Sequence, residues 1–188
     1  MAKNPTQDIP DIEDIHLAHA RIRKQVRTTP VINEPRLDAL LGCRLFCKCE
    51  NLQRAGAFKF RGASNAVLSL AEDGTLQDVA THSSGNHGAA LALAANLAGI
   101  TADIVMPENS SRLKIAAVRA FGGRVHFCAP THEARDAGLE NLVQAGRVAV
   151  HPYDDPAIIA GQGTSAIEFL QQVPELEQLI TPLGGGGL

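Results

Sequence analysis

Apolar and polar positions near the start of the chain follow a helical period. Ile12, Ile15, Ile22 and Val26 fall on one helical face, and Asp11 stands at the N-cap position before them. The same period returns further along the chain, opened by Ser, Thr or Asp-Pro and closed by glycine or proline. These later stretches predict helices over residues 63–73, 88–100, 112–121, 131–146 and 155–173.

Short apolar runs lie between the helical stretches and predict strands. They cover residues 44–50, 78–82, 102–106, 124–129, 147–151 and 179–183. Because strands and helices alternate and the turns between them are short, we expect an α/β fold in which helices cover parallel sheets. Neither a repeat of fixed period nor a low-complexity linker interrupts this order.

Composition and charge narrow the class of protein. The chain has 188 residues, of which 45% are hydrophobic and 20% charged, as in a soluble protein of one large or two small domains. The net charge of −3 gives no electrostatic case for a nucleic-acid or membrane partner. The longest apolar run, residues 88–100, is shorter than the roughly 20 residues that a membrane span needs. The first residues lack the apolar core of a secretory signal, so a cytoplasmic location is expected.

Three of the four cysteines, Cys43, Cys47 and Cys49, are close together in the sequence. Their spacing matches none of the common zinc patterns, and no metal site is predicted. Cys47 and Cys49 are two residues apart and would share one face of a strand. We interpret the three as buried core thiols, and a metal or redox role is the alternative.

One lysine stands in an unusually apolar setting. Lys59 lies between Phe58 and Phe60 in the stretch AGAFKFRGA, where a helix is predicted to begin. A cation is poorly placed at the positive end of a helix, and apolar neighbours also disfavour its charge, so both effects lower the pKa of the amine. A neutral lysine amine is a nucleophile that condenses with aldehydes. The alternative is an ordinary surface lysine near a helix start.

The loop HSSGNHGAA, residues 82–90, follows a predicted strand and opens a helix. Backbone N–H groups at such a helix N-terminus point at a common spot and form an anion site. Ser83, Ser84, Asn86 and His87 add donors, and Asn86 is also suited to bond a phenolic oxygen. The alternative is a simple capped turn.

Four consecutive glycines, residues 184–187, follow the last predicted strand. Such a run lets the backbone wrap closely around a ligand, most often a phosphate, and a flexible tail is the alternative. It is neither a P-loop nor a dinucleotide-binding fingerprint. A weaker signal is AGQGT, residues 160–164, whose glycines favour either close helix packing or contact with a site.

The three stronger motifs are suited to bind an aldehyde (Lys59), an anion (the serine loop) and a phosphate (the glycine run). Pyridoxal phosphate together with an amino-acid substrate has all three groups. With these residues in view, the sequence resembles the serine/threonine dehydratase and serine racemase family, the fold-type II pyridoxal-phosphate enzymes with a tryptophan synthase beta-like fold. The likeness covers residues 10–188. The matching stretches are KCENLQRAGAFKFRGA, SSGNHGAAL, VMPENSSRLKIAAVRAFGG, HPYDDPAIIAGQGT and PLGGGGL. Phe60, where cysteine and threonine synthases usually carry aspartate, favours the dehydratase and racemase branch.

The resemblance implies a role for each motif residue. Lys59 would form the Schiff base with pyridoxal 5'-phosphate, Phe58 would lie beside the ring, and Asn86 would bond its 3-hydroxyl. The residues that would cradle the phosphate are Gly184, Gly185, Gly186, Gly187 and Leu188. Those that would hold the substrate carboxylate are Ser83, Ser84, Gly85 and His87. Ser84 also resembles the acid/base that the racemase branch places on the opposite face of the substrate.

The activity implied by the resemblance is a threonine/serine ammonia-lyase, which converts L-threonine or L-serine to a 2-oxo acid and ammonia. Lys59 would be the general base. Serine racemase and 3-hydroxyaspartate dehydratase are the alternatives within the family. Two alternatives belong to other classes of protein. One is a non-catalytic binding module, and the other is a thiol or metal protein. The expected partners are a small amino-acid substrate and, in the full-length parent, other copies of the chain.

The resemblance also divides the chain into parts of two domains. Residues 1–52 would begin the larger domain, residues 53–150 would form a complete smaller domain, and residues 151–188 would return to the larger one and stop inside the phosphate loop. Family members continue beyond this point. A sheet that lacks its later strands has an unpaired edge and uncovered apolar surface. We therefore expect these 188 residues alone to be poorly soluble or inactive.

Overall fold

A computed structural model describes residues 9–188; residues 1–8, which the resemblance assigns to the larger domain, lie outside the described residues. The α-helices in the described range are α1 (Ile12–Ile22), α2 (Pro35–Leu41), α3 (Lys59–Glu72), α4 (Asn86–Leu97), α5 (Arg112–Ala120), α6 (His132–Gln144) and α7 (Pro156–Gln172). The strands are β1 (Val31–Asn33), β2 (Phe46–Lys48), β3 (Val79–His82), β4 (Ala102–Pro107), β5 (Arg124–Cys128) and β6 (Val148–Ala149). None of these helices is long and apolar enough to cross a bilayer.

The main sheet has four parallel strands in the order β5-β4-β3-β6. Thr81 of β3 lies beside Ile104 of β4, and Ile104 lies beside Val125 of β5. Every residue of β4 is buried, as is usual for a central strand covered on both faces. The predicted α/β fold with a parallel sheet is confirmed.

Helices α4 and α6 cover opposite faces of this sheet. A Cβ on Gly88 of α4 would lie 2.9 Å from the side chain of Ile104, whereas a Cβ on Gly138 of α6 would lie 2.8 Å from the side chain of Val105. Because consecutive side chains of a strand point to opposite faces, these two contacts place the two helices on different sides. The two glycines let each helix lie close to the sheet.

The hydrophobic core lies around α3 and α4. Phe60 and Val67 of α3 are fully buried there with Leu91 of α4 and Ile104 of β4. Helix α4 is apolar on nearly every side, as expected for a helix enclosed by the sheet, α3 and α5. Helix α3 also packs extensively against α7, which positions the start of α3 against the segment that precedes α7.

The caps predicted at several helix starts are confirmed. The Asp11 carboxylate accepts from the N–H groups of Glu13 and Asp14, and the Asp14 carboxylate accepts in return from the N–H of Asp11, forming a capping box. Asp155 caps α7 with Pro156 at its first position, and Thr131 caps α6. These bonds involve neighbours in sequence, which is why the sequence signals were sufficient.

The sequence analysis missed β1 and α2. Strand β1 pairs antiparallel with β2, with Val31 beside Lys48 and Asn33 beside Phe46. Three residues are too few to show an alternating pattern. A usable signal for α2 was present, since Glu34 caps it and Pro35 stands at its first position.

The strand predicted over residues 179–183 is wrong. These residues form no strand in the structure, and the side chains of Ile180 and Leu183 are 86% and 87% exposed. A β-strand needs a neighbouring strand to satisfy its backbone, and no strand within residues 9–188 pairs with this segment. The domain division at residues 53 and 150 stays a prediction.

Candidate active site

Lys59 is the first residue of α3 and is half-buried. Its Nζ donates a hydrogen bond to the carbonyl oxygen of Pro152 at 2.7 Å and lies 5.2 Å from the centre of the Phe58 ring. Burial lowers the pKa of the amine below its ordinary value. A larger fraction of Lys59 is therefore uncharged near neutral pH than for an ordinary lysine, which favours its role as a nucleophile.

Only one of the two phenylalanines that flank Lys59 in the sequence lies beside its amine. Phe58 lies beside the amine, but Phe60 is fully buried in the hydrophobic core. The reason is helical geometry, because residues two positions apart on a helix point to different sides. Phe60 therefore anchors the first turn of α3 in the core.

The glycine run approaches Lys59 through Tyr153. A Cβ on Gly185 would overlap the ring of Tyr153, and one on Gly187 would lie 2.8 Å from Cα of the same residue. Pro152, which accepts the bond from Lys59, immediately precedes Tyr153. The structure thus brings the lysine motif and the glycine run to one short segment.

The other side of the glycine run is open. Among residues 9–188, apart from the neighbours along the chain, no atom lies within 4 Å of a Cβ on Gly184 or Gly186, and Gly186 has a φ of 84° that favours glycine. Gly187 is buried and Leu188 is half-buried. The backbone of this loop is therefore accessible from one side while Tyr153 supports it from the other.

Ser83 organises the loop before α4. Its Oγ accepts hydrogen bonds from the backbone N–H groups of Gly85 and Gly88, at 3.2 and 3.0 Å. Within residues 9–188, the N–H groups of Asn86 and His87 have no acceptor. Two orphan donors at a helix N-terminus are the arrangement that binds an anion.

Ser84 and Asn86 are exposed in the same loop, so both side chains are accessible to a ligand. One cation that the sequence analysis did not assign to the site lies beside the loop. Lys114 of α5 places its Nζ 3.1 Å from a Cβ built on Gly85. The pKa of His82, which directly precedes Ser83, is lowered mainly by burial, while the Asp136 carboxylate, 3.6 Å from its Nε2, acts in the opposite direction. Lys114 suits an anionic ligand, and only the fold brings it to the loop.

His87 is 4% exposed, with Nε2 3.4 Å from the carbonyl oxygen of Val150. Burial, together with the positive charge of Lys59, lowers the pKa of the imidazole to about 3. If the neutral ring donates from Nε2 to Val150, then Nδ1 is an acceptor, and it has no partner within residues 9–188. A neutral ring that accepts at Nδ1 has no donor to offer a carboxylate, so the contact of His87 with a carboxylate stays a prediction and would have to use the backbone N–H.

The buried His87 predicts a dependence of stability on pH. In the unfolded chain an ordinary histidine titrates near pH 6.5, whereas the folded imidazole titrates at about 3. The unfolded state therefore binds more protons between these values, and stability falls as the pH is lowered from 6.5, by up to about 1.4 kcal/mol per pH unit. His87→Gln should remove this part of the slope in urea titrations between pH 6.5 and about 4.

A matched control for this prediction is His16→Gln, which changes an exposed histidine on α1. The control should keep the slope of the unmodified chain. Equal slopes in all three proteins would show that His87 is not buried as a neutral group.

His151 and Tyr153 are site residues that sequence reasoning missed. The Nδ1 atom of His151 accepts from the N–H groups of Tyr153 and Asp154, at 3.4 and 2.8 Å, and its ring contacts the Tyr153 ring edge to face. These bonds hold the turn that presents the Pro152 carbonyl to Lys59. A usable signal was the His-Pro-Tyr sequence just before the Asp155 cap, which indicates a turn.

A buried network of charges lies at the other side of the first turn of α3. Arg61 is 0% exposed and bonds both oxygens of Glu50 and both of Glu168, with its shortest contact at 2.7 Å. Lys48 bonds the same Glu168 and the carbonyl oxygen of Thr29. Burial raises the pKa of Glu168, but the bonds from Arg61 and Lys48 outweigh it and the net shift is downward. This network fixes the turn that carries Lys59.

The glycines of AGQGT serve helix packing. A Cβ on Gly161 would lie 2.7 Å from Cα of Gly62 in α3, and one on Gly163 would lie 3.0 Å from the side chain of Ile15 in α1. The sequence left open whether these glycines allow close helix packing or contact with a site. The structure supports close helix packing. Gln162, between them, faces a cleft that also contains Phe58.

The interpretation of the clustered cysteines as core thiols is wrong. Cys43 and Cys47 are exposed and Cys49 is half-buried, because β2 belongs to a two-stranded sheet whose Cys47 side is not covered. Among residues 9–188, no set of three His, Cys, Asp or Glu side chains is arranged to hold a metal ion.

Comparison with known proteins identifies a family and several relatives. The family described as "Pyridoxal-phosphate dependent enzyme" matches residues 22–188. A serine racemase from Arabidopsis thaliana is 45% identical, with 100% of this chain and 57% of that protein covered. A beta-hydroxyaspartate dehydratase from Paracoccus denitrificans is 45% identical, with 96% of this chain and 58% of that protein covered. The solved structure of a T.th. threonine deaminase has a TM-score of 0.86 and 38% identity, and the match covers 95% of this chain and 58% of that one.

Serine racemases from rice, Dictyostelium discoideum and human match at 43–45% identity. The chain spans about half the length of these relatives, between 53% and 55%. The family match over residues 22–188 includes the lysine, serine-loop and glycine-run segments described above.

Proposed function

The chain belongs to the family of pyridoxal-phosphate dependent enzymes, and from that premise we propose that its site acts in an ammonia-lyase reaction on L-threonine or L-serine. The observation that carries the proposal is the half-buried amine of Lys59, whose lowered pKa makes it a nucleophile and a base beside an anion-binding loop. Relatives named as a dehydratase and a threonine deaminase support it.

The residues of the site fit pyridoxal phosphate. Lys59 has the amine that its aldehyde requires, next to the flat ring of Phe58. The open side of the glycine run, at Gly184 and Gly186, offers accessible backbone to a phosphate. We propose that Gly184–Gly187 and Leu188 hold the phosphate and that Asn86, exposed at the start of α4, bonds the ring hydroxyl.

The loop before α4 would orient the substrate. The free N–H groups of Asn86 and His87, helped by Lys114, would bind the α-carboxylate. Ser83 keeps those donors aligned because its Oγ already serves Gly85 and Gly88. When the carboxylate is held in one orientation, one face of the α-carbon points toward the base. This positioning of the substrate contributes to catalysis.

Proton removal is assigned to Lys59. Pyridoxal phosphate, when bound, spreads the negative charge that proton loss leaves on the α-carbon. The lowered pKa of the Lys59 amine brings it closer to the operating pH, where a general base is most effective. Departure of the β-hydroxyl as water, followed by hydrolysis, would yield the 2-oxo acid and ammonia.

Serine racemisation is the second candidate, and Ser84 favours it. Racemisation needs a second acid/base on the face opposite the lysine, and Ser84 has an exposed hydroxyl in the loop that would hold the substrate. The relatives named as serine racemases support this candidate as directly as the dehydratase supports elimination. Both reactions begin with removal of the same proton.

Product analysis tests the proposal. Because the chain spans 58% of the Paracoccus denitrificans dehydratase, the assay uses a chimera in which residues 1–188 continue into the unmatched part of that protein. We expect ammonia and 2-oxo acid from L-threonine and L-serine, and Ser84→Ala should reduce formation of D-serine more than release of ammonia. Racemisation without elimination would contradict the lyase assignment.

A chimera that forms the Lys59 adduct but changes none of L-threonine, L-serine and 3-hydroxyaspartate would favour the binding-module reading. The matched control for Ser84 is Ser69→Ala. Its hydroxyl bonds the Ala66 carbonyl within α3, so both product rates should stay unchanged.

A further inference from the structure

His151 lies where two parts of the candidate site meet. It stands two residues after β6, which pairs with β3, and its ring contacts the ring of His82 at the end of β3, with 6.0 Å between the ring centres. His82 leads into the loop before α4, whereas Pro152, the residue after His151, has the carbonyl that accepts the bond from Lys59. His151 therefore joins the segment that carries the serine loop to the segment that holds the amine.

The His151 ring is a hydrogen-bond acceptor for the turn that follows it. Its Nδ1 accepts from the N–H of Asp154 at 2.8 Å and from the N–H of Tyr153 at 3.4 Å. A ring nitrogen that accepts carries no proton, so the neutral imidazole has its proton on Nε2. Since the Pro152 carbonyl lies inside this turn, the two bonds fix the direction in which it points.

Two aromatic neighbours hold the ring in the orientation that these bonds need. The rings of Tyr153 and His82 each stand at 85° to the His151 ring, with the centre of Tyr153 at 4.6 Å. Edge-to-face contact is a favoured arrangement of aromatic rings. The ring could therefore act on the turn in two ways, through the acceptor at Nδ1 or through packing.

The ionisable groups that face this part of the site come from three elements. His82 of β3 lies beside His151, Asp136 of α6 lies 3.6 Å from the Nε2 of His82, and His87 of α4 is buried close to Lys59. Burial is nevertheless the cause of the lowered pKa of Lys59. The protonation of the amine therefore depends on how deeply it is held, which its bond to the turn controls.

We propose that His151 is a positioning residue, which keeps the Lys59 amine inside the protein by holding the Pro152 carbonyl against it. An amine that is neutral adds to the carbon of an aldehyde, and one water leaves as the C=N bond forms. The inference rests on the proposed function in one respect, that Lys59 is the amine that reacts. It gives His151 no contact with a substrate or a cofactor.

Two substitutions separate the hydrogen bonds of His151 from its packing. His151→Phe keeps a ring for Tyr153 and His82 to contact but offers no acceptor to the backbone N–H groups. His151→Asn loses the ring but keeps an oxygen that accepts from N–H groups two or three residues ahead, as asparagine does in many turns. If the bonds are what matters, the Asn chain should behave as the unmodified chain does and the Phe chain should not.

Competitive acetylation of the 188-residue chain without any cofactor measures the protonation of Lys59. A trace of acetic anhydride labels neutral amines, and peptide mass spectrometry reads the label at position 59 across a pH range that includes the ordinary lysine pKa of about 10.4. In His151→Phe, Lys59 should label about tenfold more slowly near neutral pH, because its titration moves up by about one pH unit. At the alkaline end the Phe chain should label as fast as the unmodified chain or faster, since the amine is then neutral in both. His151→Asn should follow the unmodified chain throughout.

Two other lysines are internal standards for this measurement. Lys24 is exposed after α1 and should label identically in every chain. The Lys48 side chain is 7% exposed in the buried charge network, so it should stay poorly labelled while the chain is folded. His16→Phe changes an exposed histidine of α1 and is the matched control, which should leave the labelling of Lys59 unchanged.

Three results would overturn the proposal. The first is a titration of Lys59 in His151→Phe that matches the unmodified chain or moves to lower pH. The second is a shift in His151→Asn as large as that in His151→Phe, which would make ring packing the cause. The third is increased labelling of Lys48 in His151→Phe, which would make His151 a residue of the fold alone. Failure of pyridoxal phosphate to label Lys59 in the unmodified chain would instead refute the proposed function, and the acetylation result would stand.

Discussion

Replacing Lys59 by alanine is expected to abolish covalent attachment of pyridoxal phosphate to the chain. The amine of Lys59 is half-buried, its pKa is lowered by burial, and the Pro152 carbonyl holds it in place. Alanine supplies no nucleophile for the aldehyde and no base for the α-proton. The absorbance of the adduct should disappear, and borohydride treatment followed by peptide mass spectrometry should find no label at position 59.

In the chimera used for product analysis, Lys59→Ala should lower the rate of ammonia release by about 10³-fold or more, in line with the loss of a general base. Lys24→Ala, at an exposed lysine after α1, is the control and should retain the adduct and the rate. Undiminished deamination by the Lys59→Ala chimera would refute the assignment of this residue. Labelling of another lysine in the unmodified chain would refute it equally.

Replacing Arg61 by methionine is expected to destabilise the fold more than any other single change considered for this chain. Arg61 is fully buried and contacts the carboxylates of both Glu50 and Glu168. Methionine fills much of the space but removes the cation that the two carboxylates share, which leaves Glu168 with Lys48 and Glu50 with the Thr29 hydroxyl. Removing one partner of a buried ion pair costs about 3–5 kcal/mol, because the other charge stays buried without compensation.

Urea titration of the Arg61→Met chain would measure this loss in the free energy of unfolding. Arg44→Met is the matched control, since the Arg44–Glu175 pair is exposed on both sides. An exposed pair contributes about 0–1 kcal/mol, so the control should unfold nearly as the unmodified chain does. A loss at Arg61 no larger than that at Arg44 would show that the network is not needed for stability.

The two expected effects are physically connected. Lys59 and Arg61 both belong to the first turn of α3, and Phe60 between them is buried in the core. One turn therefore presents an amine to the site, an aromatic ring to the core and a guanidinium to a charge network. The chemistry of Lys59 depends on how firmly the other two side chains hold that turn.

Much of the fold was predictable because its signals are local. The helical periods and the caps at Asp11, Thr131 and Asp155 depend on residues within a few positions of one another. The alternation of helices and strands predicts a parallel sheet by the same local logic. Strand β1 was missed because three residues carry too short a pattern, and the strand over 179–183 was wrong because its apolar residues have no neighbouring strand within residues 9–188.

The candidate site was predictable in its motifs but not in its connections. Lys59, the serine loop and the glycine run each stand out in the sequence, whereas the segment that joins them does not. His87 contacts Val150, Lys59 contacts Pro152, and the glycine run contacts Tyr153. These contacts bring together residues far apart along the chain, and no short-range pattern encodes them.

By itself the sequence determined most of the order of helices and strands, the presence of a lysine near a helix start, and the type of cofactor that three short motifs can hold. Those properties follow from backbone periodicity and from the chemistry of adjacent side chains. Only the tertiary structure decided that Phe60 turns into the core, that the His87 ring stays neutral, and that Lys114 lies near the serine loop. These outcomes depend on burial and on charges from segments far away in the sequence. Burial arises only when the whole chain is packed, so no short stretch of sequence encodes it.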